Sequence, residues 1–154
     1  MSIVSHVSVG TSPEKLEEMI LCYDAFLAEL GAKRQMVVAK DGSKLENNTA
    51  DFQNIVAVAW GKYYPEVWVQ FPHDEKETAS PGHGMHLAFH CSSQLQVQRV
   101  YQAAIEHGAT DNGKPGPRPE YSDKYYGAFF KDPFGNKLEA VFFDMGLFNY
   151  CTTL

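Results

Sequence analysis

His6-Val7-Ser8-Val9 and His86-Leu87-Ala88-Phe89 are the two stretches on which the fold turns. In the first, Val7 and Val9 are apolar on one side and His6 and Ser8 polar on the other, the period-two pattern of a half-buried strand. In the second, Leu87 and Phe89 share one face while His86, Ala88 and His90 share the other. Each is followed by a run of helical spacing with a matching end: Glu29-Leu30-Gly31-Ala32 in the first half and Glu106-His107-Gly108-Ala109 in the second. A duplicated unit is the simplest explanation. If the copies are related by a pseudo-twofold axis, His6 and His86 occupy equivalent positions and can face each other across a shared cavity.

Working outward from these strands, Ser12 followed by Pro13 marks a helix start, and Leu16, Met19, Ile20, Tyr23, Phe26, Leu27 and Leu30 recur at helical spacing until Gly31 supplies a stop. Three candidate strands follow, 33–39, 54–60 and 66–71, rich in Val and aromatic residues. The first half therefore reads βαβββ. The polar, Pro- and Gly-containing run from His73 to Gly84 reads as a surface loop or linker. The second helix carries Leu95, Val97, Val100, Tyr101, Ala104 and Ile105 and stops at Gly108, with a short strand expected near Ala109. The prolines of Gly113-Lys114-Pro115-Gly116-Pro117-Arg118-Pro119 exclude that stretch from a helix or a central strand. Strands over 125–131 and 137–143, joined by the turn Asp132-Pro133-Phe134-Gly135-Asn136, close the second unit. The expected division is a first module over about 1–72, a linker over 73–83, a second module over 84–143 and a tail over 144–154. Within the tail, Met145 to Tyr150 is apolar enough to pack on the body or on a partner subunit.

Length and charge narrow the function. With 154 residues, 44% of them hydrophobic, the chain can bury one core but hardly two. A formal net charge of -6 gives no electrostatic drive towards nucleic acid or anionic lipid. Cys22, Cys91 and Cys151 are odd in number and lack a C-x-x-C pair, which argues against a disulfide framework or a thiolate zinc site and for a reducing, cytoplasmic location. Neither a secretory start nor a run long enough to cross a bilayer is present.

The chemistry is expected at three polar side chains. In the last strand Leu138 and Ala140 are the apolar alternates, so Glu139 takes the opposite face with Lys137 and Val141. A carboxylate within Leu138-Glu139-Ala140-Val141-Phe142-Phe143 is costly to bury unless a cation or donor meets it. His6, His86 and Glu139 together form a two-histidine, one-carboxylate set suited to Fe(II), Mn(II) or Zn(II) with open coordination positions. A single strand histidine is more often a hydrogen-bonded surface residue; repeat symmetry and Glu139 set this pair apart. His90 shares the face of His86 and is a candidate acid–base group, against the plainer reading of a structural histidine.

Gly84-Met85-His86-Leu87-Ala88-Phe89, Gly116-Pro117-Arg118-Pro119-Glu120-Tyr121 and the run from Tyr125 to Val141 resemble the vicinal oxygen chelate superfamily of glyoxalase I, bleomycin-resistance proteins, fosfomycin-resistance enzymes and extradiol dioxygenases. The resemblance covers nearly the whole chain, and Asp132-Pro133-Phe134-Gly135-Asn136-Lys137-Leu138-Glu139 is its most specific part. It implies an α+β fold of two βαβββ modules forming an open, mixed-sheet barrel around a divalent ion (Fe, Mn, Zn or Ni), with His6, His86 and Glu139 as ligands. Glyoxalase I enzymes add a fourth ligand where the repeat places Trp68, which cannot bind metal, so Glu66 or Gln70 would have to replace it by a shift of register. The resemblance also implies a homodimer.

Around this centre Tyr121, Tyr125 and Tyr126 offer aromatic surface with hydroxyl groups, and Arg118 could meet an anionic group. Tyr126 is the candidate for catalysis, and Arg118, Tyr121 and Tyr125 are candidates for substrate contact. Trp60 and Trp68 fill the barrel or an interface, with Trp68 kept as a candidate for stacking on substrate. The expectation is a metal-dependent lyase, isomerase, dioxygenase or thiol transferase acting on a small oxygen-rich, metal-chelating substrate. The alternative is a binding module of the bleomycin-resistance type that captures a small molecule without turnover.

Overall fold

The computed structural model describes residues 3–74 and 76–143, so the expectations for the tail and for Cys151 lie outside the described residues. The first half runs β1 (Val7–Gly10), a 3-10 turn (Pro13–Lys15), α1 (Leu16–Ala28), β2 (Lys33–Ala39), the two-residue β3 (Lys44–Leu45), β4 (Ile55–Gly61) and β5 (Val67–Gln70). The second runs β6 (Leu87–His90), α2 (Gln94–Glu106), β7 (Thr110–Pro117), β8 (Tyr125–Lys131) and β9 (Lys137–Phe143).

The strands form two open mixed sheets, ordered β1-β5-β4-β2-β3 and β6-β9-β8-β7. In each, the first strand of the half pairs in parallel with the last, Val7 opposite Val67 and Leu87 opposite Leu138. The duplicated phrase thus corresponds to duplicated topology. The β3 hairpin, pairing Val37 with Leu45, is an addition in the first sheet that the repeat does not foreshadow.

Helix α1 buries Leu16, Met19, Ile20, Tyr23, Phe26 and Leu27, the stripe its spacing predicts, and Gly31 ends it at a φ of 77°. Helix α2 starts at Ser93, whose side chain accepts from the Gln96 N–H, and buries Val97, Val100, Tyr101 and Ala104. Leu95, expected on that stripe, is exposed instead, because two residues before Val97 lies off the buried face.

One core serves both halves. The Phe26 ring of α1 meets Phe89 at 5.4 Å and Phe130 at 5.5 Å, both from the second sheet, and Tyr23 meets Trp60 of β4 at 5.5 Å with the rings tilted by 36°. Trp60 is buried as expected and donates its indole N–H to Asp24 at 2.8 Å. Asp24 also accepts from Arg34, so one carboxylate ties α1, β2 and β4, and Arg34 in turn bonds the Thr49 carbonyl, in the loop between β3 and β4, at 2.9 Å.

A second tie crosses between the halves at the 132–136 turn. The buried Asp132 accepts the N–H groups of Phe134, Gly135 and Asn136 and, at 2.9 Å, the Tyr23 hydroxyl from α1. The Asn136 amide donates to Asp132 and to the Gly10 carbonyl of β1. The Gly113-to-Pro119 stretch is, as its prolines require, neither helix nor central strand: through Pro117 it is part of the edge strand β7. Its place at the sheet edge and its irregular pairing between Asp111 and Gly116 let the prolines stand where no ladder donor is needed.

Candidate active site

In β9, Leu138 and Ala140 face the helices, and Glu139 points to the opposite side of the sheet, where a side chain would ordinarily meet solvent. It is nevertheless only 2% exposed. The cover comes from its neighbours: Phe129 lies opposite on β8, Ala88 opposite on β6, and the Tyr125 ring leans back along β8 over Gly127. A Cβ on Gly127 would lie 3.1 Å from that ring and 3.4 Å from a Glu139 oxygen, so only glycine leaves room for the contact.

Both carboxylate oxygens have partners. The Tyr125 hydroxyl donates to Oε1, and His86 Nε2 stands 3.1 Å from Oε2. Burial, and after it the hydrogen bond and charge of Glu139, hold the Tyr125 hydroxyl well above its usual pKa, so it keeps its proton and acts as a donor. His86 precedes β6 by one residue and its side chain is 56% exposed, so the pair is an accessible imidazole backed by a buried carboxylate. With Nε2–H directed at Glu139, Nδ1 carries the lone pair of the neutral ring. His86 also lines an apolar groove of about 320 Å³ between β1 and β6, with Val7, Val9, Gly10, Met85 and Leu87.

An aromatic wall continues from Tyr125. Phe143 lies nearly parallel to it at 5.5 Å, Tyr121 meets it edge-on at 5.1 Å, and His90 meets Phe143 edge-on at 6.5 Å. Arg118 lies over the Phe129 ring at 5.4 Å and donates to the carbonyls of Lys114 and Pro117. The structure therefore gathers His86, Glu139, Tyr125, Tyr121, Arg118 and His90 on the second sheet's outer face.

Three expectations do not fit this arrangement. Tyr126 is on the helix-covered face, packing against the core and accepting from Gln98 on α2 at 2.9 Å, because adjacent strand residues point to opposite sides. It therefore lies away from His86 and Glu139. His6 precedes β1 and lies in a separate groove of the first sheet with Ser8, Tyr64, Trp68 and Gln70, its Nδ1 3.3 Å from Ser5 Oγ. Trp68 and Gln70 are thus set beside His6 rather than Glu139, and Glu66 accepts the Lys62 N–H. The repeat makes His6 and His86 equivalent within their modules without making them neighbours.

A catalytic ion of the kind the resemblance implies takes about three protein donors. Among the described residues no group of three His, Cys, Asp or Glu side chains converges. The donor set of one chain does not fit the ion, since only His86 and Glu139 come together. Gly127, in contrast, is a site residue that sequence reasoning misses; its signal is a glycine inside a strand rich in aromatic residues.

Residues 65–140 match the model of the Glyoxalase/Bleomycin resistance protein/Dioxygenase superfamily, a span containing His86, Tyr125 and Glu139. No curated protein matches the chain. Among solved structures, a glyoxalase/bleomycin resistance protein from Albidiferax ferrireducens is 28% identical, with 91% of this chain and 98% of that one covered and a TM-score of 0.67. A glyoxalase/bleomycin resistance protein/dioxygenase family enzyme from Burkholderia phytofirmans, 16% identical over 89% of this chain and 95% of its own, shares the fold at a TM-score of 0.59. So does a glyoxalase-related enzyme from Fulvimarina pelagi, 14% identical over 92% and 88%, at 0.61. Paired parallel-edged sheets and the run ending at Glu139 thus go with a match of residues 65–140 to the Glyoxalase/Bleomycin resistance protein/Dioxygenase superfamily model and with a fold similar to that of the Albidiferax ferrireducens protein.

Proposed function

We propose that the chain is an enzyme that transfers a proton on a small oxygen-bearing substrate, with His86 as the acid–base group. The carrying observation is the contact of His86 Nε2 with the buried carboxylate of Glu139 at 3.1 Å. A buried carboxylate behind an accessible imidazole fixes its tautomer and the direction of its ring. His86 Nδ1 would accept the proton from substrate and return it to the product, while Glu139 stabilises the imidazolium and the Tyr125 hydroxyl holds Glu139 in place. His90 is close enough to the aromatic wall to contact substrate from β6.

This role needs no third donor, in keeping with what a single chain brings together. A homodimer belongs to the same proposal, and the exposed Ile3, Tyr63, Tyr64 and Met85 supply apolar surface for it. The test is turnover of methylglyoxal with glutathione, catechols with oxygen, and fosfomycin with thiols. His86→Ala should lower the rate on the accepted substrate by about 100-fold or more, the usual contribution of an acid–base group. Undiminished turnover would refute the assignment, and tight binding with no turnover would favour the capture of a small molecule.

A further inference from the structure

We infer that the substrate class of this site is a planar aromatic carboxylate, its ring against Tyr121, Tyr125 and Phe143 and its carboxylate on Arg118; this rests on the reading of the site given above. Three observations carry it. First, Tyr125 and Phe143 lie at an interplanar angle of 11°, and Tyr121, 61% exposed, stands edge-on to Tyr125 at 68°. That is a cluster of aromatic rings with Tyr121 open to solvent, and flat π-systems prefer such offset and edge-on partners.

Second, the cation beside it is fixed in place. Arg118 lies over Phe129 and donates through Nη2 to Lys114 O at 2.7 Å and through Nη1 to Pro117 O at 3.2 Å. Two of the five N–H groups of its guanidinium are thereby committed, and the others suit a bidentate carboxylate. Third, backbone bonds hold ring and cation at a set separation: Arg118 N–H donates to Tyr125 O at 2.9 Å, Tyr121 N–H to Arg118 O at 3.0 Å, and Tyr125 N–H to Ser122 O at 3.1 Å. The turn between β7 and β8 therefore presents both halves of the recognition surface without further ordering, which lowers the entropy lost on binding. The Arg118 charge also reaches Tyr125, whose hydroxyl bonds Glu139, so a ligand placed here lies beside the proposed proton-transfer pair.

The probes are 2-naphthoate, the neutral 2-naphthamide and the saturated decahydronaphthalene-2-carboxylate, titrated into the full chain by calorimetry and followed by saturation-transfer NMR. Naphthoate should bind at least about tenfold more tightly than either analogue, as expected for losing one charge-assisted pair or the ring stacking. Arg118→Gln should erase the preference over the amide, Arg118→Lys should retain part of it, and Tyr121→Leu should weaken naphthoate more than the saturated acid. Equal binding of the three probes, no measurable naphthoate binding, or a preference unchanged in Arg118→Gln would overturn the inference. A naphthoate result of that kind alongside turnover that still depends on His86 would reject the substrate class while leaving the proton-transfer reading intact.

Discussion

Replacing Tyr125 with Phe removes one hydroxyl and leaves the ring, and the structure gives the consequence a size. Glu139 is 2% exposed, and its Oε1 receives the Tyr125 hydroxyl. Without that donor a buried carboxylate oxygen loses its partner, a penalty of about 1–3 kcal/mol. For a chain of this length each kcal/mol lowers the melting temperature by about 2–4 °C, so Tyr125→Phe should melt about 2–12 °C lower. The adjacent Tyr126→Phe is the control, since its hydroxyl only accepts from the exposed Gln98 amide. Its effect should stay within about 0.5 kcal/mol. Thermal melts followed by circular dichroism, with urea midpoints as a second measure, compare the two. Equal losses, or a larger loss for Tyr126→Phe, would refute the placement of the two tyrosines on opposite faces and the dependence of Glu139 on Tyr125.

Gly127→Ala puts a methyl group 3.1 Å from the Tyr125 ring and should destabilise by about 1–3 kcal/mol, with part of that loss relieved in a Tyr125→Ala background; strict additivity in chemical denaturation would contradict the close approach. Asp24→Ala strands the Trp60 indole and the Arg34 guanidinium and should cost about 2–4 kcal/mol by the same measure. Burial pushes the Cys22 thiol up to about 12 and Cys91 up to about 11, so the reactive thiolates form only in strongly alkaline solution. Iodoacetamide at about pH 8 should leave both unlabelled in the native protein, as peptide mass spectrometry would show; rapid native labelling of either would contradict their burial. Elemental analysis of the monomeric chain should find well under one divalent ion per chain, because two donors hold such an ion weakly. A stoichiometric ion in the monomer would mean that further ligands join His86 and Glu139.

Much of the fold was legible because a repeated phrase carries its own check: Gly31 and Gly108 end two helices whose apolar stripes the spacing shows. Glu139 was legible for a similar reason, since a carboxylate inside an apolar strand demands a donor. Its donors were only partly readable. His86 followed from the repeat, whereas choosing Tyr125 over Tyr126 needs the register of β8 against β9, which is set by contacts distant along the chain. His6 shows the limit of symmetry, because equivalence between modules fixes a side chain's place in its own sheet and says nothing of the distance between two sheets. The strand character of Thr110 to Pro117 was hidden by prolines that only an edge position tolerates.

The Asp132 turn has a consequence for the symmetry of the two halves. Its carboxylate is seated by a tyrosine from the other half, and Asn136 reaches across to Gly10. The corresponding turn of the first half, Lys62-Tyr63-Tyr64-Pro65-Glu66, has no such aspartate and asparagine. The two halves are therefore unlike rivet and socket: neither could be exchanged for a second copy of its sibling without leaving Tyr23 or Asp132 unmatched.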